Sequence, residues 1–210
     1  DKLIVLNERD NSLLNQVYGL NADIILPTTF IDTFQPELKK LNAPTNSQFT
    51  LLFVGFAFFA NIEGVKWFIE NVLPELQNCK LRIVGNGMDK IFKSTSNIEV
   101  HGYVKDLAQF YYQADAVILP IFSGGGMKTK TAEALMYGCP IIGTKEAFEG
   151  YSLKYDKVGG IANTKEEMII NINKLKENPE SAKKAGEYAR SIFKQLYCFE
   201  NTIQDLKKIL

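Results

Sequence analysis

Histidine occurs once in this sequence of 210 residues, at His101. A single imidazole sets aside multi-histidine metal centres and a Ser-His-Asp triad as starting points. Cysteine is nearly as scarce. Cys79, Cys139 and Cys198 are odd in number, far apart and set in apolar surroundings, which excludes a disulfide scaffold or a metal site and fits reduced thiols. Neither sign of charge is in excess, with 24 basic and 24 acidic residues and a pI near 6.8. No global field therefore gathers nucleic acid or an anionic membrane surface, and any anion specificity must be local. No apolar run approaches the roughly 20 residues of a membrane span. The opening DKLIVLNERD carries none of the parts of a secretory signal, so the expectation is a cytoplasmic protein.

What the sequence does have is concentrated between residues 116 and 144. Ala116-Val-Ile-Leu-Pro120 is a short apolar run that reads as a buried strand, and it empties into Gly124-Gly125-Gly126. Met127 to Tyr137 are good helix formers with Ala132, Leu135 and Met136 on one side, until Gly138, Cys139 and Pro140 stop them. A second strand starts at Ile141. The unpaired amides of a helix start face whatever fills such a glycine loop, and Lys128 and Lys130 add positive charge, so the unit reads as an anion site, with phosphate as the expected anion. Glu133 lies one turn into the helix, placed either to pair with Lys130 or to accept hydrogen bonds from ligand hydroxyls. A plain tight turn followed by a solvated helix face is the competing reading. The pattern is neither Walker A nor Gly-x-Gly-x-x-Gly.

In chain order, strands are expected at Leu3–Leu6 and Asp23–Leu26, around a helix from Asn11 to Tyr18 capped by Asp10 or Asn11 and ended by Gly19. Residues 28–48 are rich in Thr, Pro and Asn with little periodicity and read as a linker, with the boundary between 45 and 46. Strand and helix then alternate: Phe49–Val54, a loop at 56–62 and a helix over Glu63–Val72; Leu81–Val84 and Met88–Lys93; Ile98–His101 and Asp106–Gln113; Ala116–Leu119 and the central helix. Such alternation implies a doubly wound parallel sheet with ligands outside the carboxyl ends of its strands. Four of those ends carry glycine, at Gly55, Gly85, Gly102 and Gly124. After a weak strand at Val158–Ala162 come three helices, from Thr164 with a capping box to Glu167, from Pro179 to about Phe193, and from Phe199 to Leu210.

Several stretches together resemble a known family. They are Leu52-Phe-Val-Gly55 with Asn61-Ile-Glu-Gly-Val-Lys-Trp-Phe68, Leu81-Arg-Ile-Val-Gly-Asn-Gly87, Val100-His-Gly-Tyr-Val104, and Gly125 to Ile142. Their order is similar to that of the retaining GT-B glycosyltransferases of family 4 or group 1, and residues 49–210 carry the likeness. The resemblance implies an α/β, Rossmann-like C-terminal lobe of such an enzyme, at 46–210, preceded at 1–45 by a short remnant of the N-terminal lobe and the interlobe linker. It implies a nucleotide-diphosphate sugar as donor, no separate cofactor and no metal, no nucleic acid, and an acceptor held by the N-terminal lobe of the same enzyme. The resemblance is also compatible with peripheral membrane association of the full-length enzyme. By the same resemblance Glu133 holds the ribose hydroxyls; with Lys128 and Lys130 it makes up the catalytic set. Donor contacts fall to Gly55, Asn61, Gly85, Tyr103, Val104, Gly124, Gly125, Gly126, Met127 and Thr129.

Two departures stand out. Gly125 occupies the place, eight residues before Glu133, where many members have another glutamate. The loop after Gly55 reads Phe56-Ala-Phe-Phe-Ala-Asn61 where many members carry an arginine and a lysine, so Lys128 and Lys130 are expected to supply the charge that this loop lacks. The alternatives are a binding-only nucleotide-sugar module, which the aromatic loop favours, and a sugar-nucleotide epimerase of the same architecture. In the transferase reading, residues 1–210 alone are expected to bind donor without transferring sugar.

Overall fold

A computed structural model describes residues 2–41 and 48–207. The chain opens with β1 (Ile4–Val5), α1 (Glu8–Tyr18), β2 (Ile24–Ile25) and α2 (Pro36–Leu41). β1 and β2 pair in parallel as a sheet of their own. Then follow β3 (Phe49–Val54), α3 (Phe59–Asn71), β4 (Cys79–Val84), α4 (Met88–Ile91), β5 (Ile98–His101), α5 (Ala108–Tyr112), β6 (Ala116–Leu119), α6 (Thr129–Met136) and β7 (Ile141–Gly143). The chain continues through α7 (Tyr155–Val158), β8 (Gly159–Ile161), α8 (Lys165–Glu177), α9 (Pro179–Ile192) and α10 (Phe199–Lys207).

The second sheet has six strands in the order β5-β4-β3-β6-β7-β8, and every neighbouring pair is parallel. Residues 50–54 of β3 and all of β6 are buried, as expected of central strands covered on both faces. The chain runs outward from β3 to β5, returns to β6 and runs outward the other way. Right-handed crossovers then place the connecting helices on opposite faces, and the order reverses between β3 and β6. This is the doubly wound α/β architecture that the alternation of strand and helix implies.

Close backbone contacts fix the centre of the sheet. A side chain at Gly64 in α3 would place its Cβ 1.8 Å from the Pro120 carbonyl oxygen, so α3 lies directly against the end of β6. A Cβ on Gly85 would come 2.0 Å from the Gly55 carbonyl oxygen, which holds the ends of β3 and β4 together. Those two contacts need glycine for proximity, whatever ligand the crevice holds.

Several boundaries differ from expectation. α1 begins at Glu8, with Asn7 as its cap accepting from the Asp10 amide at 2.9 Å; Asp10 lies inside the helix. α3 begins at Phe59 instead of Glu63, without any side-chain cap, because Ala60, Asn61, Gly64, Val65 and Phe68 form its buried face. Packing supplies the start that the sequence does not signal. α6 is shorter than Met127 to Tyr137, and α5 spans only Ala108–Tyr112, with the Asp106 carboxylate accepting from the Ala108 amide at 2.8 Å. Part of the expected linker is helical in α2. The boundary between 45 and 46 and the last turn expected to reach Leu210 lie outside the described residues. The capping box between Thr164 and Glu167 is present at the start of α8. Among the described residues, no helix is long and apolar enough to cross a membrane.

Candidate functional site

The reversal of strand order places two loops side by side at the carboxyl ends of β3 and β6. The first is 55–58, leading into α3. The second is 120–128, leading into α6. Gly124 and Gly126 have φ of 134° and 67°, a backbone region that other L-residues enter only with strain. A Cβ on Gly125 or Gly126 would meet nothing within 4 Å, so conformation, and not crowding, selects glycine at 126. Lys128 caps α6 in an extended conformation with no side-chain hydrogen bond to the first turn. The Thr131 amide is taken by the Lys128 carbonyl at 2.9 Å, and the amides before it are left for solvent or a ligand. In the same loop the Ser123 hydroxyl oxygen is buried with no hydrogen-bond partner among the described residues.

The two helix starts are tied together by one contact. Lys130 Nζ donates to Asn61 Oδ1 at 2.6 Å, and Asn61 Nδ2 donates to the Phe56 carbonyl at 2.8 Å. Asn61, only 4% exposed, thus anchors the first loop and steers the ammonium of Lys130 to it. No carboxylate lies within salt-bridge distance of Lys130 among the described residues. Burial, together with repulsion from Lys128, lowers its pKa from 10.5 to about 8. The ammonium also sits 5.5 Å from the centre of the Phe53 ring. The Glu133 charge offsets the lowering only in part, so the ammonium is a desolvated cation, in contact with no carboxylate among the described residues, whose state a bound anion would relieve.

Glu133 does not pair with Lys130, although i and i+3 allow it. Lys130 turns toward α3, whereas Glu133 turns toward α5 and accepts the Tyr111 hydroxyl on Oε2 at 2.9 Å. Burial raises the Glu133 pKa, partly offset by the Tyr111 hydrogen bond and by Lys130. The Tyr111 hydroxyl is pushed well above its ordinary value by burial, by the Glu133 charge and by the bond to it, so it stays a donor. One carboxylate oxygen is occupied by Tyr111, and the other remains to accept a hydroxyl.

Lys128 takes a different partner again. Its Nζ bonds Glu146 Oε1 at 2.7 Å and the Gly126 carbonyl at 2.9 Å, and its carbonyl accepts the Tyr151 hydroxyl at 2.7 Å. The two lysines thus diverge from the loop. The structure brings together Gly55, Asn61 and Lys130, and beside them Gly124 to Lys128 and Thr129, with Glu133 one turn further along α6. Gly85 joins Gly55 through strand packing. Tyr103, 78% exposed, and Val104 lie past the end of β5, with β4 between them and β3. Met127 packs partly on the core near Gly150. Tyr111 and Glu146 carry no signal in the sequence that ties them to this loop, since each meets α6 only through tertiary contact.

Comparison with known proteins follows the same outline. The family model described as glycosyl transferases group 1 matches residues 48–178. No curated protein matches the sequence. Among solved structures, Anabaena HepE in complex with UDP and glucose aligns with a TM-score of 0.79 and 15% identity over 98% of this chain and 61% of its own. Sucrose-phosphate synthase from Thermosynechococcus elongatus gives 0.79 and 16%, over 98% of this chain and 56% of its own. WaaG, a glycosyltransferase involved in lipopolysaccharide biosynthesis, gives 0.75 and 19%, over 99% of this chain and 62% of its own. At these identities the likeness is one of fold. The chain spans 56 to 62% of the length of these three structures.

Proposed function

The chain belongs to the group 1 glycosyltransferases, and we propose that its part in sugar transfer is to hold a nucleotide-diphosphate sugar at the carboxyl ends of β3 and β6. The observation that carries this reading is the junction of the α3 and α6 starts through Asn61 and Lys130, 2.6 Å apart. That junction places a desolvated ammonium between two loops and beside the open amides of α6, an arrangement suited to a diphosphate. Glu133 accepts the ribose hydroxyls on the oxygen that Tyr111 leaves, and the ends of β4 and β5, at Gly85, Tyr103 and Val104, border the base. Lys128 is released from Glu146 to reach the phosphates when the donor binds.

Chemistry at such a site is positioning and stabilisation of the departing diphosphate as the bond to the sugar breaks. Lys130 and the α6 amides meet the negative charge that develops on the leaving group, with no metal or cofactor required. Transfer with retention of configuration is part of the proposal, as is an acceptor held by a separate N-terminal lobe. Residues 1–45 are proposed to be the tail of that lobe and the linker from it, and 46–210 the nucleotide-sugar domain. Alone, residues 1–210 then bind donor without turnover. A binding-only role has one feature in its favour, the exposed Phe56, Phe58 and Phe59 in place of basic side chains, and detectable transfer by a two-lobed protein carrying this domain would end it.

Glu133→Gln tests the reading. The change keeps the shape of the side chain but weakens acceptance from two hydroxyls. It should weaken a ribonucleoside diphosphate by about 10-fold or more, and weaken the 2′,3′-dideoxy analogue clearly less, by calorimetry. Equal losses for the two ligands would make Glu133 a structural partner of Tyr111 and would remove the ribose from this site.

A further inference from the structure

A cavity opens beside the glycine loop, on the β7 side of α6. It holds about 400 Å³ at the carboxyl ends of β6 and β7, and Arg9, Phe122, Glu146, Glu149 and Asn163 are among the residues lining it. That volume falls at the lower end of the roughly 300–1,000 Å³ of small-molecule sites. Charge leads from the loop into it. Lys128 bonds Glu146 Oε1, and Arg9 Nη1 lies 3.9 Å from Glu146 Oε2 and 3.7 Å from Glu149 Oε2. Those last two separations exceed hydrogen-bond length, so Arg9 leaves acceptor capacity on both carboxylates, and both line the cavity. Asn163 uses Oδ1 to accept the Lys145 amide at 2.9 Å, which leaves its amide group as a donor. Phe122, 40% exposed and edge-packed on Trp67 at 4.8 Å, adds an apolar wall.

Carboxylates with unfilled acceptor capacity, an arginine, an amide and an exposed aromatic ring suit one kind of ligand best, a compact polyol with an apolar face. Direction narrows it further. Glu133 turns toward α5 and Asn61 lies on α3, so the ribose and base of a bound nucleotide run toward β3 and β4. What continues past the diphosphate toward β7 is the sugar. We infer that this cavity takes the transferred sugar of the donor, with Glu146 and Glu149 accepting its hydroxyls and Arg9, from α1, closing over it. The inference rests on the diphosphate reading above.

Calorimetric titration of UDP, GDP and ADP, and of UDP-glucose, GDP-mannose and ADP-glucose, into the unaltered chain, Glu149→Gln and Asn163→Ala separates the two readings. For whichever base binds, each variant should weaken the sugar conjugate about 5- to 30-fold, the loss of one hydrogen bond to a ligand, and leave the free diphosphate within about 2-fold. An unaltered chain that binds none of the free diphosphates overturns the diphosphate reading, and this inference with it. A chain that binds them, but whose variants treat conjugate and free diphosphate alike, overturns the sugar assignment alone.

Discussion

Replacing Lys130 by methionine should weaken ligand binding while leaving the fold as stable or more stable, a combination that a structural lysine cannot give. The free protein holds this ammonium in a desolvated position, where its pKa falls from 10.5 to about 8. At roughly 1.4 kcal/mol per tenfold change in acidity, that fall corresponds to about 3 kcal/mol of preference for the neutral side chain. Partial exposure and the lost bond to Asn61, worth about 1 kcal/mol, reduce what methionine gains to about 0–2 kcal/mol. The sign follows from the depressed value. The penalty is fully present below about pH 8 and disappears as pH rises toward 10.5, so the unaltered chain should gain stability over that range and Lys130→Met should not. Against a diphosphate, the missing charge-assisted bond should weaken binding by about 1.5–3 kcal/mol, or roughly 10- to 150-fold. Because a bound anion favours the charged form, affinity in the unaltered chain should decline as pH rises through about 8, and the decline should vanish in the variant. Chemical denaturation and calorimetry at pH 7 and pH 9.5 read all four quantities. A variant that loses more than about 2 kcal/mol of stability with unchanged diphosphate affinity would refute the reasoning.

Two further changes probe the frame that holds the site. Gly64→Ala removes a poor helix former from the interior of α3, worth about 1 kcal/mol in its favour by propensity alone. Its Cβ would nevertheless fall 1.8 Å from the Pro120 carbonyl, so the melting temperature should drop, with a net loss of about 2–4 kcal/mol; an unchanged or higher melting temperature would mean that α3 does not lie on the end of β6. Glu99 gathers Lys80 at 2.7 Å, Arg82 at 3.2 Å and His101 at 2.6 Å. Despite the opposing effect of burial, those partners hold its carboxyl at about 2, down from 4.5. Its contribution is therefore present above about pH 4.5 and lost as pH falls toward 2. Glu99→Gln should cost about 1–2 kcal/mol at pH 7, after discounting for partial exposure, and the difference from the unaltered chain should shrink between pH 4.5 and 2 in acid denaturation. A difference that stays constant with pH would assign the effect to shape instead of charge.

The sheet was legible because its central strands are apolar on both faces and the strand ends carry glycine. Phe49–Val54, Ile98–His101 and Ala116–Leu119 fall where the pattern puts them. The start of α3 was not legible, since Phe58 offers no capping side chain and burial of one helix face sets the boundary. At the site, the glycine loop and the helix carrying Lys128, Lys130 and Glu133 could be read as a local unit. The partners of those three side chains could not. Spacing along a helix allows Lys130 and Glu133 to meet, but Asn61 is 69 positions from Lys130, Tyr111 is 22 from Glu133 and Glu146 is 18 from Lys128. Only the sheet order that brings β3 beside β6, and β7 beside β6, determines which neighbour each side chain finds.

A crystal structure of residues 1–210 grown with whichever of UDP, GDP or ADP binds most tightly would test the central claim most directly. The diphosphate should lie at the start of α6, within hydrogen-bond distance of Lys130 Nζ and of backbone amides between Gly124 and Lys130, with a ribose hydroxyl on Glu133. A diphosphate bound elsewhere, with Lys130 still on Asn61 and Glu133 touching only Tyr111, would contradict it.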